Sequence, residues 1–217
     1  MKPVIVPTVV PQSLENVAAA RKRYAFAPSL HIDIVDGLFA PNVTWSVQPG
    51  EKLPDAAGME YEVHLMVQQP LQAGVSFVRA GARRIIGHVE AFDHAEQASE
   101  AFNMWRTAGA QQTGIALLLS SPLDELHMYL QLVDFVHVMT IAEVGKQGFA
   151  FDSRSIERVA MIHARYPNTT ISVDGGETAE TVDDLKRAGA TRFCVGSALT
   201  NAHDPAAEYA RLQAAVE

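Results

Sequence analysis

The chain has a single cysteine, Cys194, set in the run Arg192-Phe193-Cys194-Val195. One cysteine excludes a disulfide framework and a thiolate metal cluster, and its apolar neighbours point to a buried core thiol. Hydrophobic residues make up 48% of the 217 positions, yet no apolar run approaches the roughly 18 residues that a membrane-spanning helix needs. Cations are scarce: 17 Lys and Arg stand against 25 Asp and Glu, for a formal charge of −8. With that balance and no basic stripe or aromatic-interleaved Lys/Arg cluster, small-molecule chemistry is favoured over nucleic-acid binding. The start Met1-Lys2-Pro3-Val4-Ile5-Val6 carries no signal-peptide pattern, so a cytoplasmic location is expected. The Asn-x-Thr triplets at Asn42 and Asn168 are discounted as glycosylation acceptors on the same ground. Linkers, low-complexity tracts and long charge runs are absent as well, and a chain of this length can form one sizeable core. A single domain over 1–217 follows.

What is present is alternation. Short β-rich runs recur at about Val4–Val10, Leu30–Asp36, Tyr61–Val67, Arg84–Glu90, Gly114–Leu119, Phe135–Ile141, Thr169–Asp174 and Thr191–Val195. Helix-compatible stretches lie between them, among them Ser13–Arg23, Ala95–Thr107, Pro122–Gln131, Asp152–Arg165, Thr178–Ala188 and Pro205–Val216. Alternating strand and helix argue for a parallel sheet with crossover helices, and eight repeats argue for closure into an α/β (β/α)8 TIM barrel. The weakest repeat spans Ser46 to Met59, where any helix would be short and bounded by proline.

Polar residues interrupt three of these runs in a consistent way. His31-Ile-Asp-Ile-Val-Asp-Gly37 puts an imidazole and a carboxylate two residues apart, which on a strand share one face. Val63-His64-Leu65 and Val173-Asp174-Gly175 each add one more such group near a strand end, where barrel enzymes carry their active sites. Singly, each His or Asp is more often a hydrogen-bonded core or turn residue than a ligand. Together His31, Asp33, His64 and Asp174 form a mixed N/O set suited to one divalent metal ion: zinc, iron(II), manganese or cobalt rather than calcium or magnesium.

A divalent ion flanked by carboxylates suits proton removal next to a carbonyl, because the enediolate that forms is stabilised. Asp33 and Asp174, on strands two and seven, are placed to take a proton from one face of a planar intermediate and return one to the other, which is an epimerisation. Met66 and Met139 also end strands and can keep water from a reactive enediolate, though ordinary core filling explains them equally well. Gly175-Gly176 and Gly196-Ser197 follow strands seven and eight, where backbone amides of a barrel bind phosphate; a tight turn is the plainer reading of either glycine alone.

The segments His31-Ile-Asp-Ile-Val-Asp-Gly-Leu-Phe-Ala-Pro-Asn42, Val63-His-Leu-Met-Val67, His88-Val-Glu-Ala91, Val138-Met-Thr140, Val173-Asp-Gly-Gly176 and Val195-Gly-Ser197 resemble the ribulose-phosphate 3-epimerase family over most of the chain. The resemblance implies a metal-dependent barrel that interconverts D-ribulose 5-phosphate and D-xylulose 5-phosphate. It implies that His31, Asp33, His64 and Asp174 are the metal ligands, that Asp33 and Asp174 double as the acid/base pair, and that Thr8 stands where the family usually has a substrate-facing serine. Departures are local. Val35 replaces a methionine, Leu118-Leu119 an Asn-Pro pair, and His137 an aliphatic residue, a change best explained by a satisfied core histidine. Ala142-Glu143-Val144-Gly145-Lys146-Gln147-Gly148-Phe149 replaces a glycine-rich loop that touches phosphate; Glu143 would repel that anion and Lys146 would compensate. The expected activity is a 3-epimerase for this or a close ketose phosphate. The alternatives are an epimerase of another ketose, phosphorylated or not, a non-catalytic barrel homologue, and a phosphate-binding decarboxylase, which would need a Lys beside an Asp on strands two or three. Closed barrels often associate, so a homo-oligomer is expected.

Overall fold

Eight parallel strands close into a barrel in sequence order in the computed structural model, which describes residues 2–54 and 58–217. They are β1 (Val4–Val9), β2 (Ser29–Val35), β3 (Glu60–Met66), β4 (Arg84–His88), β5 (Gln112–Leu117), β6 (Phe135–Met139), β7 (Thr170–Asp174) and β8 (Arg192–Val195), and β8 pairs back onto β1. The helices are α1 (Leu14–Arg23), α2 (Pro70–Ala80), α3 (Ala95–Ala108), α4 (Arg154–Arg165), α5 (Ala179–Ala188), α6 (Ser197–Thr200) and α7 (Pro205–Ala215). No helix among the described residues is long and apolar enough to cross a membrane.

Strands in such a barrel are buried on both faces, and the period of two divides their residues between two cores. Leu30, Ile32 and Ile34 of β2, Val63 and Leu65 of β3, Val136 and Val138 of β6 and Ile171 and Val173 of β7 join the helix-facing core with Phe77, Phe102, Trp105, Leu185 and Leu212. The alternate positions hold His31, Asp33, Glu62, His64, His137, Ser172 and Asp174, all buried. The inner wall of β2, β3, β6 and β7 is therefore unusually polar.

Helix boundaries follow local chemistry. Ser13 caps α1 through the Asn16 amide, Thr178 and Thr181 form a reciprocal capping box on α5, and Asp204 precedes Pro205 at the first turn of α7. The helix expected over Pro122–Gln131 is instead a 3-10 segment, Leu123–Met128. Its buried Leu126 and the Tyr129 that caps it stand three residues apart, and a three-residue turn eclipses them on one side. Helix α2, a stretch not named above, carries Gly74, Val75 and Val78, all of modest helix propensity, while Pro70 at its start and Gly81 past its end mark its limits. No α-helix connects β2 to β3 among the described residues, in keeping with the weak repeat there.

Helices α2 and α3 meet at Gly74 and the fully buried Trp105, whose indole Nε1 donates to Leu71 O at 2.9 Å. A Cβ on Gly74 would lie 2.2 Å from that nitrogen. In an exposed helix, replacing glycine by alanine gains roughly 1 kcal/mol; here the anchored indole reverses the sign. Gly74→Ala should cost about 1–3 kcal/mol through overpacking, seen as a lower urea midpoint at unchanged m-value. An unchanged or higher midpoint would show that α3 yields freely.

Candidate active site

Strand pairing assembles the polar floor. Asp33 is in register with His64, Met139 with Asp174, and Asp174 with Cys194. Asp33 Oδ1 lies 3.2 Å from His31 Nε2 and 2.9 Å from His64 Nδ1, while Asp174 Oδ2 lies 3.7 Å and 3.6 Å from the same two nitrogens. All four residues proposed from the sequence as ligands thus converge. Donors bonded to one small divalent cation at about 2.0–2.1 Å stand about 2.9–4.2 Å from one another, and the four separations fit that range. His31, His64, His137 and Asp174 also offer atoms that lie within 4.8 Å of each other, so this buried group can hold a metal ion.

Two hydrogen-bonded arms orient the imidazoles. His31 Nδ1 is 2.7 Å from Glu62 Oε1, and Glu62 Oε2 accepts from Arg192 Nη2 at 2.7 Å. Burial disfavours the Glu62 carboxylate, but the Arg192 charge and the His31 hydrogen bond more than offset this and hold it well below the usual range. An ionised Glu62 takes the Nδ1 proton of His31 as donor, which leaves Nε2 facing Asp33 and Asp174. On the other side His64 Nε2 is 2.8 Å from His88 Nε2, and His88 Nδ1 is 2.9 Å from Glu90 Oε2. Glu90 is held at about 2, against the effect of burial, by His88, Ser121 and the Leu118 amide. Burial lowers His88, which stays neutral. Its one proton goes to Glu90, so its Nε2 accepts from His64 and the Nδ1 of His64 is left for the carboxylates.

The same carboxylates govern titration. Burial lowers both His31 and His64, yet Cys194 and Asp33 raise His31 well above its ordinary value, and hydrogen bonds to Asp174 and Asp33 raise His64. Burial and mutual repulsion push Asp33 up, but His31 and His64 prevail and lower it. Asp174 is buried too, and contacts with His137 and His64 keep it far below the carboxylate range. Burial lowers His137 to about 4, leaving it neutral. Cys194 is indeed buried, but it faces the barrel interior, with Sγ 3.4 Å from His31 Nδ1; burial pushes its thiol up to about 12, so it is no nucleophile.

Above this floor a cavity of about 40 Å³ is lined by Thr8, Asp33, Met66, Met139, Asp174, Gly175, Gly176, Gly196 and Ser197, with Ile141 and residues 145–149 closing it. Every substrate-contact residue singled out in the sequence lines it. Thr8 Oγ1 is buried without a hydrogen-bond partner, a free hydroxyl at the cavity wall. Met66 and Met139 are each 2% exposed. Lys146 is among the lining residues of the altered loop and Glu143 is not, so the carboxylate expected to repel an anion stands outside. Leu118 keeps a role through its backbone, its amide donating to Glu90 Oε1 at 2.8 Å.

Sequence reasoning left Glu62, Arg192, Glu177 and the partnership of His88 with Glu90 without roles, and read His137 as core. A signal existed for some of them: Glu62 stands two residues before His64, and Arg192 two before Cys194, the same-face spacing of a strand.

Comparison with known proteins agrees with this arrangement. Residues 3–200 match the family described as Ribulose-phosphate 3 epimerase. Ribulose-phosphate 3-epimerase of Mycobacterium leprae is 30% identical over 217 residues, covering 98% of this chain and 95% of the relative. The protein of the same name from Treponema pallidum is 34% identical over 173 residues, covering 78% and 77%. Among solved structures, 3-hexulose-6-phosphate synthase from Salmonella typhimurium superposes with a TM-score of 0.70 at 15% identity, covering 100% of this chain and 98% of that one. Orotidine 5'-phosphate decarboxylase from Pyrococcus horikoshii does so with a TM-score of 0.62 at 14% identity, covering 98% and 99%. At such identities these two speak to the barrel alone. Matched through all eight strands by one family and at 30% identity by a named member, the chain belongs to the ribulose-phosphate 3-epimerase family of carbohydrate isomerases.

Proposed function

We propose that this protein is a divalent-metal-dependent 3-epimerase that interconverts D-ribulose 5-phosphate and D-xylulose 5-phosphate, or a close ketose phosphate, through an enediolate. The observation that carries this reading is the meeting of two aspartate side chains, Asp33 from β2 and Asp174 from β7, on one pair of imidazoles beneath a cavity. His31, Asp33, His64 and Asp174 would hold the ion. When bound, the ion polarises the carbonyl of the ketose and so acidifies the neighbouring carbon-bound hydrogen.

The remaining chemistry belongs to the chain. One aspartate, as carboxylate, takes the proton from carbon 3; the other, carrying a proton, delivers it to the opposite face, and the roles exchange in the reverse direction. Met66 and Met139 keep the planar intermediate from water. Thr8 Oγ1, unpartnered in the fold, is available to a substrate hydroxyl. The backbone of Gly176, Gly196 and Ser197, with Lys146 nearby, lines the end of the cavity suited to phosphate.

Glu177 would spoil that end if it were charged. It is 3% exposed, its Oε2 accepts the Gly175 amide at 2.8 Å, and its Oε1 lies 2.8 Å from Thr140 Oγ1. Thr140 Oγ1 is also 2.6 Å from Gly175 O. One hydroxyl proton serves only one of these two acceptors, and a protonated Glu177 resolves the conflict by donating to Thr140. Burial and the charge of Asp174 raise Glu177 to about 8, so the carboxyl is neutral beside the proposed phosphate.

Two experiments test this reading. Metal-reconstituted protein incubated with ribulose 5-phosphate in heavy water should incorporate deuterium at carbon 3 and form xylulose 5-phosphate. Asp174→Asn should lose about 10²–10⁴-fold in turnover, and retained wild-type turnover would sink the mechanism. The second concerns Glu177. Its carboxyl titrates near 8 in the fold and near 4.5 when unfolded, so in that window the native state binds more protons and stability falls as pH rises. The slope is at most about 1.4 kcal/mol per pH unit. Relative to Glu177→Gln, the wild type should lose stability between about pH 5 and about pH 8, read from urea midpoints. Parallel profiles would show that Glu177 is ionised in the fold.

A further inference from the structure

Strand β6 brings a third imidazole to the same floor. His137 is fully buried, and its Nε2 lies 3.4 Å from Asp174 Oδ2. Its ring centroid is 5.4 Å from that of His31 and 4.7 Å from that of His64. An aliphatic side chain would fill this wall without desolvating a polar group, so the imidazole needs two partners to be tolerated.

One partner is plain: His137 Nδ1 lies 3.1 Å from Ser172 Oγ. If Nδ1–H donates there, the Nε2 lone pair confronts a carboxylate that is itself an acceptor. No hydrogen bond joins two acceptors, whereas a cation between them satisfies both. Four of the donors stand together, since atoms of His31, His64, His137 and Asp174 all lie within 4.8 Å of one another, and Asp33 Oδ1 joins them at 3.2 Å from His31 Nε2 and 2.9 Å from His64 Nδ1. We propose that His137 Nε2 is a fifth protein ligand of the divalent ion, a third imidazole beside His31, Asp33, His64 and Asp174. This rests on the metal reading given above and extends it. Three imidazoles weight the donor set toward nitrogen, which favours cobalt and zinc over manganese and magnesium.

Imidazole N–H protons count the ligands directly. In the proposed arrangement each ligated imidazole keeps one N–H pointing away from the ion, to Glu62 from His31, to His88 from His64 and to Ser172 from His137. All three are buried, so they exchange slowly enough to be seen. The full chain loaded with cobalt(II), its metal content measured, should show three paramagnetically shifted exchangeable proton resonances in water. His137→Gln and His137→Leu should each show two, and their metal affinity should fall at least about tenfold in competition with a chelator. Fewer than three such resonances in cobalt-loaded wild type would make His137 a core histidine donating to Asp174; this overturns the inference and leaves the four-ligand reading standing. Absence of stoichiometric cobalt in the wild type would overturn both.

Discussion

A carboxylate sealed inside the barrel governs this structure. Glu62 has no exposed surface, and a buried charge is tolerable only when its oxygens are fully partnered. Arg192 supplies the compensating charge from β8, across the sequence gap that barrel closure removes, and His31 supplies a second donor. The arrangement is worth little as a source of stability, since both ions lose their hydration. Its consequence is orientation: as long as Glu62 is ionised, His31 must present Nδ1–H to it and Nε2 to the carboxylates of Asp33 and Asp174. Removing either partner would leave a buried charge uncompensated, a change that typically costs about 3–5 kcal/mol.

Glu90 and His88 do the same for His64 from the other side, with a neutral imidazole in place of the arginine. Both arms end on lone pairs aimed at one point from different strands. This is a requirement for holding a cation and an awkward arrangement without one: Cys194 and Asp33 raise His31, and Asp174 and Asp33 raise His64, toward the charged form. On the proposed reading a proton and a metal ion would compete for the same place, so loading the ion would release protons. Phe39, its ring 4.6 Å from that of His88, covers the second arm, and Asp36 holds that loop by accepting the amides of Leu38, Phe39 and Gln68. The acidic residue that follows Asp33 in the motif thus serves the loop rather than the floor.

The strands were legible because buried parallel strands need β-branched and aliphatic runs, and those runs are short, regularly spaced and broken by turn residues. The four floor residues were legible for the converse reason: a histidine or aspartate in such a run carries a desolvation cost that suggests a use. The arms were not legible. Glu62 and Arg192 stand 130 positions apart, and only the closing of β8 onto β1 and the tilt of the barrel bring them together. His137 shows the same limit, since one imidazole in an apolar strand does not reveal what faces it. At Pro122 the error was one of pitch: apolar residues spaced by three were compatible with either kind of helix, and the two buried anchors favoured the tighter one.

The altered loop after β6 covers the site of the proposed chemistry. The cavity it closes, about 40 Å³, has room for roughly one water molecule, so the proposed ketose phosphate would enter only after residues 145–149 move aside. Three hydrogen bonds hold them: Asn42 Nδ2 to Gly145 O at 2.7 Å, Gln147 Nε2 to Thr8 O at 3.0 Å, and Thr200 Oγ1 to Gln147 Oε1 at 3.3 Å. At about 1 kcal/mol net each, opening costs on the order of a few kcal/mol, which contacts to the incoming substrate can offset. Gln147 also sits where a side chain on Gly196 would have to go, 2.6 Å from the position of such a Cβ, so a larger residue there would displace the Gln147 amide from its present place. An enediolate survives only where water is kept out. On the proposed reading, the loop would therefore have to close again over bound substrate, in an arrangement wider than this one, before a proton is moved.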